Sequence, residues 1–179
     1  MLIGMMGSGK STVGHELAVR TGWPMWDNDT LLTELAGQDA RALSQRGHDV
    51  LHEAEAEVAR QLLDRAPPYV AGTAAAVVTY PDVVDRLRAQ ACAVYLRATV
   101  STLAERVRRT HRPWLGSDPV ADLTKLYEGR EALYQRAASA VIDVDHLTPQ
   151  EVAGAALDLI ARRPPATASP DSARPRAEH

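Results

Sequence analysis

Residues 4–11 read Gly4-Met5-Met6-Gly7-Ser8-Gly9-Lys10-Ser11, and this stretch fills every fixed position of the pattern G-x-x-x-x-G-K-[ST]. In that pattern the glycines let backbone N–H groups turn inward around phosphate oxygens, the lysine reaches the β- and γ-phosphates, and the hydroxyl holds Mg²⁺. The flanks agree. Leu2 and Ile3 read as the end of an apolar strand, and the sequence from Ser11 to Arg20 reads as a helix. Its N-terminal dipole would face the phosphates. A nucleoside triphosphate site built from Gly7, Ser8, Gly9, Lys10, Ser11 and Thr12 follows, with Mg²⁺ as its metal. Only Met1–Ile3 leads into the loop, where a strand of about five residues is usual. The sequence therefore predicts either a short first strand or a true start further upstream.

Signals of strand and helix alternate along the rest of the chain. Strands are expected at 24–27, within 69–78, at 91–96 and at 141–144. Helices are expected at 30–36, 40–46, 48–64, 81–90, 100–110, 121–139 and 148–162. Alternation of this kind gives an α/β fold, a parallel sheet covered by helices on both faces. Residues 1–161 read as one domain, and 162–179, rich in Pro, Ala, Ser and Arg without apolar periodicity, read as a disordered tail.

Bulk composition narrows the partners. With 179 residues, 45% of them hydrophobic and 24% charged, the chain has the make-up of a single soluble domain. A net charge of −3 gives no basic field for nucleic acid. No membrane span or signal peptide is read, so the expected location is the cytoplasm. The single cysteine, Cys92, lies in an apolar run and reads as a buried strand residue with no disulfide to make. The expected state is a monomer.

A second layer of residues surrounds the loop. Trp26-Asp27-Asn28-Asp29 ends the second strand, on the side where ligands bind in open α/β sheets. Asp27 could reach Mg²⁺ through water, and Asp29 could take a proton from an attacking hydroxyl. Either acid could instead cap the helix expected at Thr30, Asp29 being well placed for it. His111-Arg112-Pro113-Trp114-Leu115 lies in a polar segment, about 110–120, that reads as a lid. A lid arginine can stabilise charge on a transferring phosphoryl group.

Taken together, Gly4–Gly14, Trp26–Asp29, Arg112-Pro113-x-Leu115 and Arg130-x-x-Leu133-Tyr134 resemble the shikimate kinase family, in register from the first strand to about Ala161. The resemblance implies a three-layer P-loop kinase fold of the nucleoside monophosphate kinase type with five parallel strands. It also implies phosphoryl transfer from ATP to a hydroxyl of a small cyclic acid. Lys10 and Arg112 would then contact the transferring phosphate, Ser11 and Asp27 would hold Mg²⁺, and Arg109 would lie over adenine. Asp29 and Arg130 would bind the acceptor, within a region of about residues 29–62.

The acceptor half departs from the family. Where members carry Gly-Glu-x-x-Phe-Arg, this chain has Gly47-His48-Asp49-Val50-Leu51-His52, with Glu55 further on. His52 thus stands at the arginine that would pair with the acceptor carboxylate. A neutral imidazole offers one donor where a guanidinium offers a charged fork. A triple glycine after the third strand is replaced by Ala74-Ala75-Ala76, with Ala75 expected at the acceptor. If that turn needs φ > 0, alanine resists it. The departures favour a weak use of shikimate, or another acceptor such as gluconate or a nucleoside monophosphate. A nucleotide-binding module without catalysis is the remaining alternative, against which the intact Lys10, Ser11, Asp27, Asp29 and Arg112 speak.

Overall fold

The computed structural model describes residues 1–108 and 118–162. Five strands, β1 (Leu2–Ile3), β2 (Met25–Asp27), β3 (Val70–Gly72), β4 (Val94–Arg97) and β5 (Ala140–Asp143), form one sheet in the order β2-β3-β1-β4-β5. Every pairing is parallel. The expected α/β architecture is therefore present. Eight helices accompany the strands among the described residues: α1 (Lys10–Thr21), α2 (Asn28–Ala36), α3 (Ala40–Arg46), α4 (His48–Leu63), α5 (Pro81–Gln90), α6 (Val100–Arg108), α7 (Pro119–Ala137) and α8 (Pro149–Ala161).

The two residues of β1 sit at the centre of the sheet between β3 and β4, and both are buried. That position explains the apolar lead-in to the loop, since a strand covered on both faces has no polar side. The order of connections reverses at β1, so the crevice for a ligand opens at its carboxyl end, where the phosphate-binding loop begins. Apolar residues of both helical layers close over the sheet, with Leu17 of α1, Leu87 of α5, Leu103 of α6, Leu123 of α7 and Val152 of α8 all buried in one core. A smaller cluster of Leu31, Leu32, Leu43, Leu51, Val58 and Leu62 joins α2, α3 and α4 beyond β2.

Several boundaries differ from the sequence reading for local reasons. The helix expected at Thr30 begins at Asn28, because Asp27 is its cap and accepts from the Asp29 N–H at 3.0 Å. Asp29 is thereby in the first turn and is not the cap. The strand expected at 91–96 is β4, which starts at Val94. The extended Ala91 instead ends α5, and the Cys92 carbonyl accepts from the Met1 ammonium at 2.9 Å. Cys92 is accordingly half-buried and lies ahead of the strand. The long helix expected from Ala121 starts at Pro119, where Asp118 caps it by accepting from the N–H groups of Val120 and Ala121, both at 3.1 Å. The last residues assigned to the lid, 118–120, thus belong to the start of α7. Residues 109–117, with Arg109 and Arg112, and the tail from 163 lie outside the described residues.

No helix among the described residues is long and apolar enough to cross a membrane.

Candidate active site

The loop between β1 and α1 holds its shape through glycine. At Gly4, φ is +148°, and a Cβ there would stand 2.7 Å from the Leu96 carbonyl oxygen of β4, a contact that backbone cannot relieve. Gly9 caps α1 with φ +97°, in the left-handed region that side chains disfavour. The helix start has no side-chain cap. Its first N–H groups point into the loop, where an anion can take them up.

Lys10, the first residue of α1, folds back over the loop, and its Nζ donates to the carbonyls of Gly4 at 2.8 Å and Met5 at 2.9 Å. These contacts hold the ammonium over the loop itself. Next to it, Ser11 Oγ donates to Asp27 Oδ2 at 2.6 Å. The other carboxylate oxygen of Asp27 is the α2 cap. Ser11 and Asp27 therefore present two hard oxygens side by side at the loop, the donor type that a small divalent cation selects. In this respect the residues fit a metal that accompanies nucleotide phosphates.

A cleft of about 860 Å³ opens from this point. Its lining brings together Gly7, Gly9, Lys10, Ser11 and Thr12 of the loop with Asp27 and Asp29, and across from them His52, Ala75 and Arg130. Ser8 is buried under the loop and does not line it. Ten of the expected site residues thus share one cavity although they come from α1, β2, α2, α4, α7 and the turn after β3.

Arg130 is a buried cation lining the cleft, 8% exposed on α7. Among the described residues it makes no ion pair and no hydrogen bond, and it faces the cleft. A buried guanidinium in that condition is suited to receive an anion. His52 lies on α4 with His48 one turn earlier, and their rings meet edge to face with centroids 6.2 Å apart. Burial, then Arg130, then His48 push the His52 imidazole below its ordinary value of 6.5, with Asp49 pulling the other way. His52 is therefore neutral at pH 7.

The turn after β3 forms without any φ above zero, since no non-glycine residue among the described ones has positive φ. Alanine is accordingly unstrained at positions 74–76. Ala74 and Ala76 are buried, and Ala75 shows its edge to the cleft.

Five charged or titratable cleft residues carried no role in the sequence reading: Arg106 on α6, His48 and Glu55 on α4, and Asp122 and Lys125 on α7. Arg106 donates to the carbonyl of Gly7 at 3.4 Å and to that of Val144 at 3.2 Å, linking the loop to the end of β5. For α7 a signal was available. Residues 122, 126 and 130 recur every four positions and share the face of Arg130.

A phosphate-binding loop at the switch point of a five-stranded parallel sheet, with an acid pair at the end of the neighbouring strand, defines a P-loop phosphotransferase. Within that class the family is specific. The shikimate kinase family model matches residues 6–161. The shikimate kinase of Marinomonas sp. is 34% identical over 166 residues, covering 90% of this chain and 91% of that protein. The shikimate kinase of Paracidovorax citrulli is 35% identical, covering 92% of this chain and 94% of that protein. Among solved structures, shikimate kinase from Acinetobacter baumannii in complex with shikimate superposes with a TM-score of 0.83 at 28% identity, over 89% of this chain and 90% of that one. The chain belongs to the shikimate kinase family and is an ATP-dependent kinase. Membership brings ATP with a divalent metal ion.

Proposed function

We propose that the protein transfers the γ-phosphoryl group of ATP to a hydroxyl of shikimate, with Mg²⁺ as the metal. The observation that carries this reading is the common cleft. Lys10 over the loop, Asp29 at its edge and Arg130, without a partner among the described residues, line one cavity. The relatives' names and the shikimate-bound neighbour point to the same acceptor.

Lys10 would leave the Gly4 and Met5 carbonyls for the β- and γ-phosphates, while loop N–H groups take the remaining oxygens. Ser11 and Asp27 would hold Mg²⁺, which neutralises phosphate charge. Arg130 would take the acceptor's carboxylate. With the acceptor so oriented, Asp29 accepts the proton of the attacking hydroxyl. The new oxygen–phosphorus bond forms as the bond to the β-bridging oxygen breaks, and ADP leaves. Arg112 would stabilise the charge of the transferring group, and Arg109 would cover the adenine. At neutral pH one fixed cation meets the acceptor carboxylate, so shikimate would bind weakly. A need for ATP supports a cytoplasmic site of action.

The test is ADP release with shikimate, gluconate and nucleoside monophosphates as acceptors, in the native protein and in Lys10→Ala and Asp29→Asn. Shikimate should release ADP and the other acceptors should not. Lys10→Ala should lose both turnover and ATP binding, and Asp29→Asn should lose turnover while still binding ATP. Gluconate or a nucleotide working better than shikimate would reassign the acceptor. Full turnover in Asp29→Asn would remove Asp29 from the chemistry.

A further inference from the structure

The cleft brings a permanently charged group, Arg130, together with one that can change charge, His52. Arg130 is buried, faces the cavity and makes no ion pair or hydrogen bond among the described residues. His52 lines the same cleft from α4, and His48, one turn earlier, stands against its ring. An anion drawn to Arg130 therefore arrives beside an imidazole.

We propose that acceptor binding is proton-linked in this chain: His52 takes up a proton as an anionic acceptor docks on Arg130, so affinity for the acceptor rises as pH falls. This rests on the reading that the acceptor is a carboxylate-bearing hydroxy acid. It makes His52 a specificity-determining residue whose contribution is set by pH.

The electrostatics give the direction. His48 and Asp49 on its own helix and Arg130 from α7 act on His52 directly, and Glu55 from α4, Asp27 and Asp29 from β2 and α2, Lys10 from α1, Arg106 from α6 and Asp122 and Lys125 from α7 line the same cleft. In the free protein, burial opposes its charged form most, followed by Arg130 and then His48, with Asp49 opposing that trend. A carboxylate seated on Arg130 offsets the repulsion from that guanidinium and adds an attraction of its own, because an opposite charge within about 4–6 Å favours the ionised form. The imidazole then gains a proton, and by reciprocity protonation strengthens acceptor binding by the same factor. The acceptor's own carboxyl titrates near pH 4 and stays charged across the window. One proton taken up can raise affinity by at most about tenfold per unit of pH.

Calorimetry of shikimate binding to the native protein between pH 5.5 and 8, in two buffers of different ionisation enthalpy, tests this. The expected result is net proton uptake near neutral pH and an affinity that strengthens several-fold toward pH 6. Binding of a non-hydrolysable ATP analogue, run in parallel, should not show that added dependence. His52→Gln should hold affinity at the weak high-pH value throughout. His52→Arg should hold it at or above the low-pH value throughout, with no proton uptake. Shikimate binding with no proton uptake, or with an unchanged pH slope in His52→Gln, would overturn the proposal and leave the acceptor reading standing. No shikimate binding at any pH would overturn both.

Discussion

The hydroxyl of Tyr134 donates to the carbonyl of Ala75 at 2.7 Å, tying α7 to the turn after β3. Tyr134 is fully buried and stacks on Tyr95 with ring centroids 4.8 Å apart. Arg130 lies one helical turn before it. The bond therefore registers the helix that carries Arg130 against the backbone of Ala75, which lines the same cleft.

Removing that hydroxyl takes its donor from the partly buried Ala75 carbonyl. Tyr134→Phe is expected to lower unfolding free energy by about 0.5–1.5 kcal/mol, the net worth of one hydrogen bond. Chemical denaturation measures it. The same variant should raise the KM for the acceptor more than that for ATP, because the hydroxyl's contact with the loop, to Met5 Sδ at 3.7 Å, is a weak sulfur one and the Lys10 contacts are kept. Equal effects on both substrates would mean that the bond braces the whole core and not the cleft around Arg130.

The two oxygens of Asp27 have separate tasks, one accepting from the Asp29 N–H and the other from Ser11 Oγ. Asp27→Ala should lose the helix cap at about 0.5–2 kcal/mol of stability, together with metal-dependent activity. Asp27→Asn keeps a capping oxygen and loses the charge. Its stability should stay near native while the Mg²⁺ concentration needed for half-maximal activity rises. An unchanged Mg²⁺ requirement in Asp27→Asn would reduce Asp27 to a cap.

Local chemistry explains what was legible in the sequence. The loop could be read because glycine, lysine and serine at fixed spacing impose one backbone path, and the alternation of apolar runs with helical periods specifies a covered parallel sheet. The helix start at Asn28 was misread because two acids two residues apart are both competent caps, and only the carboxylate's reach to Ser11 settles which one serves. Arg106 was not legible at all. Its partners are main-chain carbonyls, Gly7 and Val144, about 100 and 40 residues away in sequence, and carbonyls leave no mark in a residue pattern. A neutral His52 could be read from its type, but what keeps it neutral was hidden, because burial and Arg130 from a helix nearly 80 residues away are the causes.

Arg106 lines the cleft with its guanidinium on the loop carbonyl of Gly7. From there it is placed to meet phosphate oxygens as well. A hydrogen bond to a charged group contributes roughly 1.5–3 kcal/mol, so Arg106→Gln should raise the KM for ATP by about ten- to a hundred-fold and leave the acceptor KM unchanged. Arg106→Lys, which keeps the charge and loses the fork, should fall between. A drop in melting temperature with unchanged ATP kinetics would make Arg106 a structural link between the loop and β5.

The state of His52 also predicts how stability depends on pH. Burial, Arg130 and His48 together hold its imidazole below the ordinary 6.5 in the folded protein. The unfolded chain keeps the ordinary value, so between the two values the unfolded state binds more protons and stability rises with pH. The favourable contribution of a neutral His52 is thus fully present above about pH 6.5. It is lost progressively as pH falls through that value to the lower folded one. Urea unfolding at pH 5, 6, 7 and 8 should show a steeper acid-side loss in the native protein than in His52→Gln, with the two profiles running parallel above pH 7. Addition of saturating shikimate should shrink the native protein's acid-side loss, because a bound carboxylate favours the protonated imidazole that the free cleft opposes. Superimposable profiles for native protein and His52→Gln would show that the imidazole keeps its ordinary protonation in the fold.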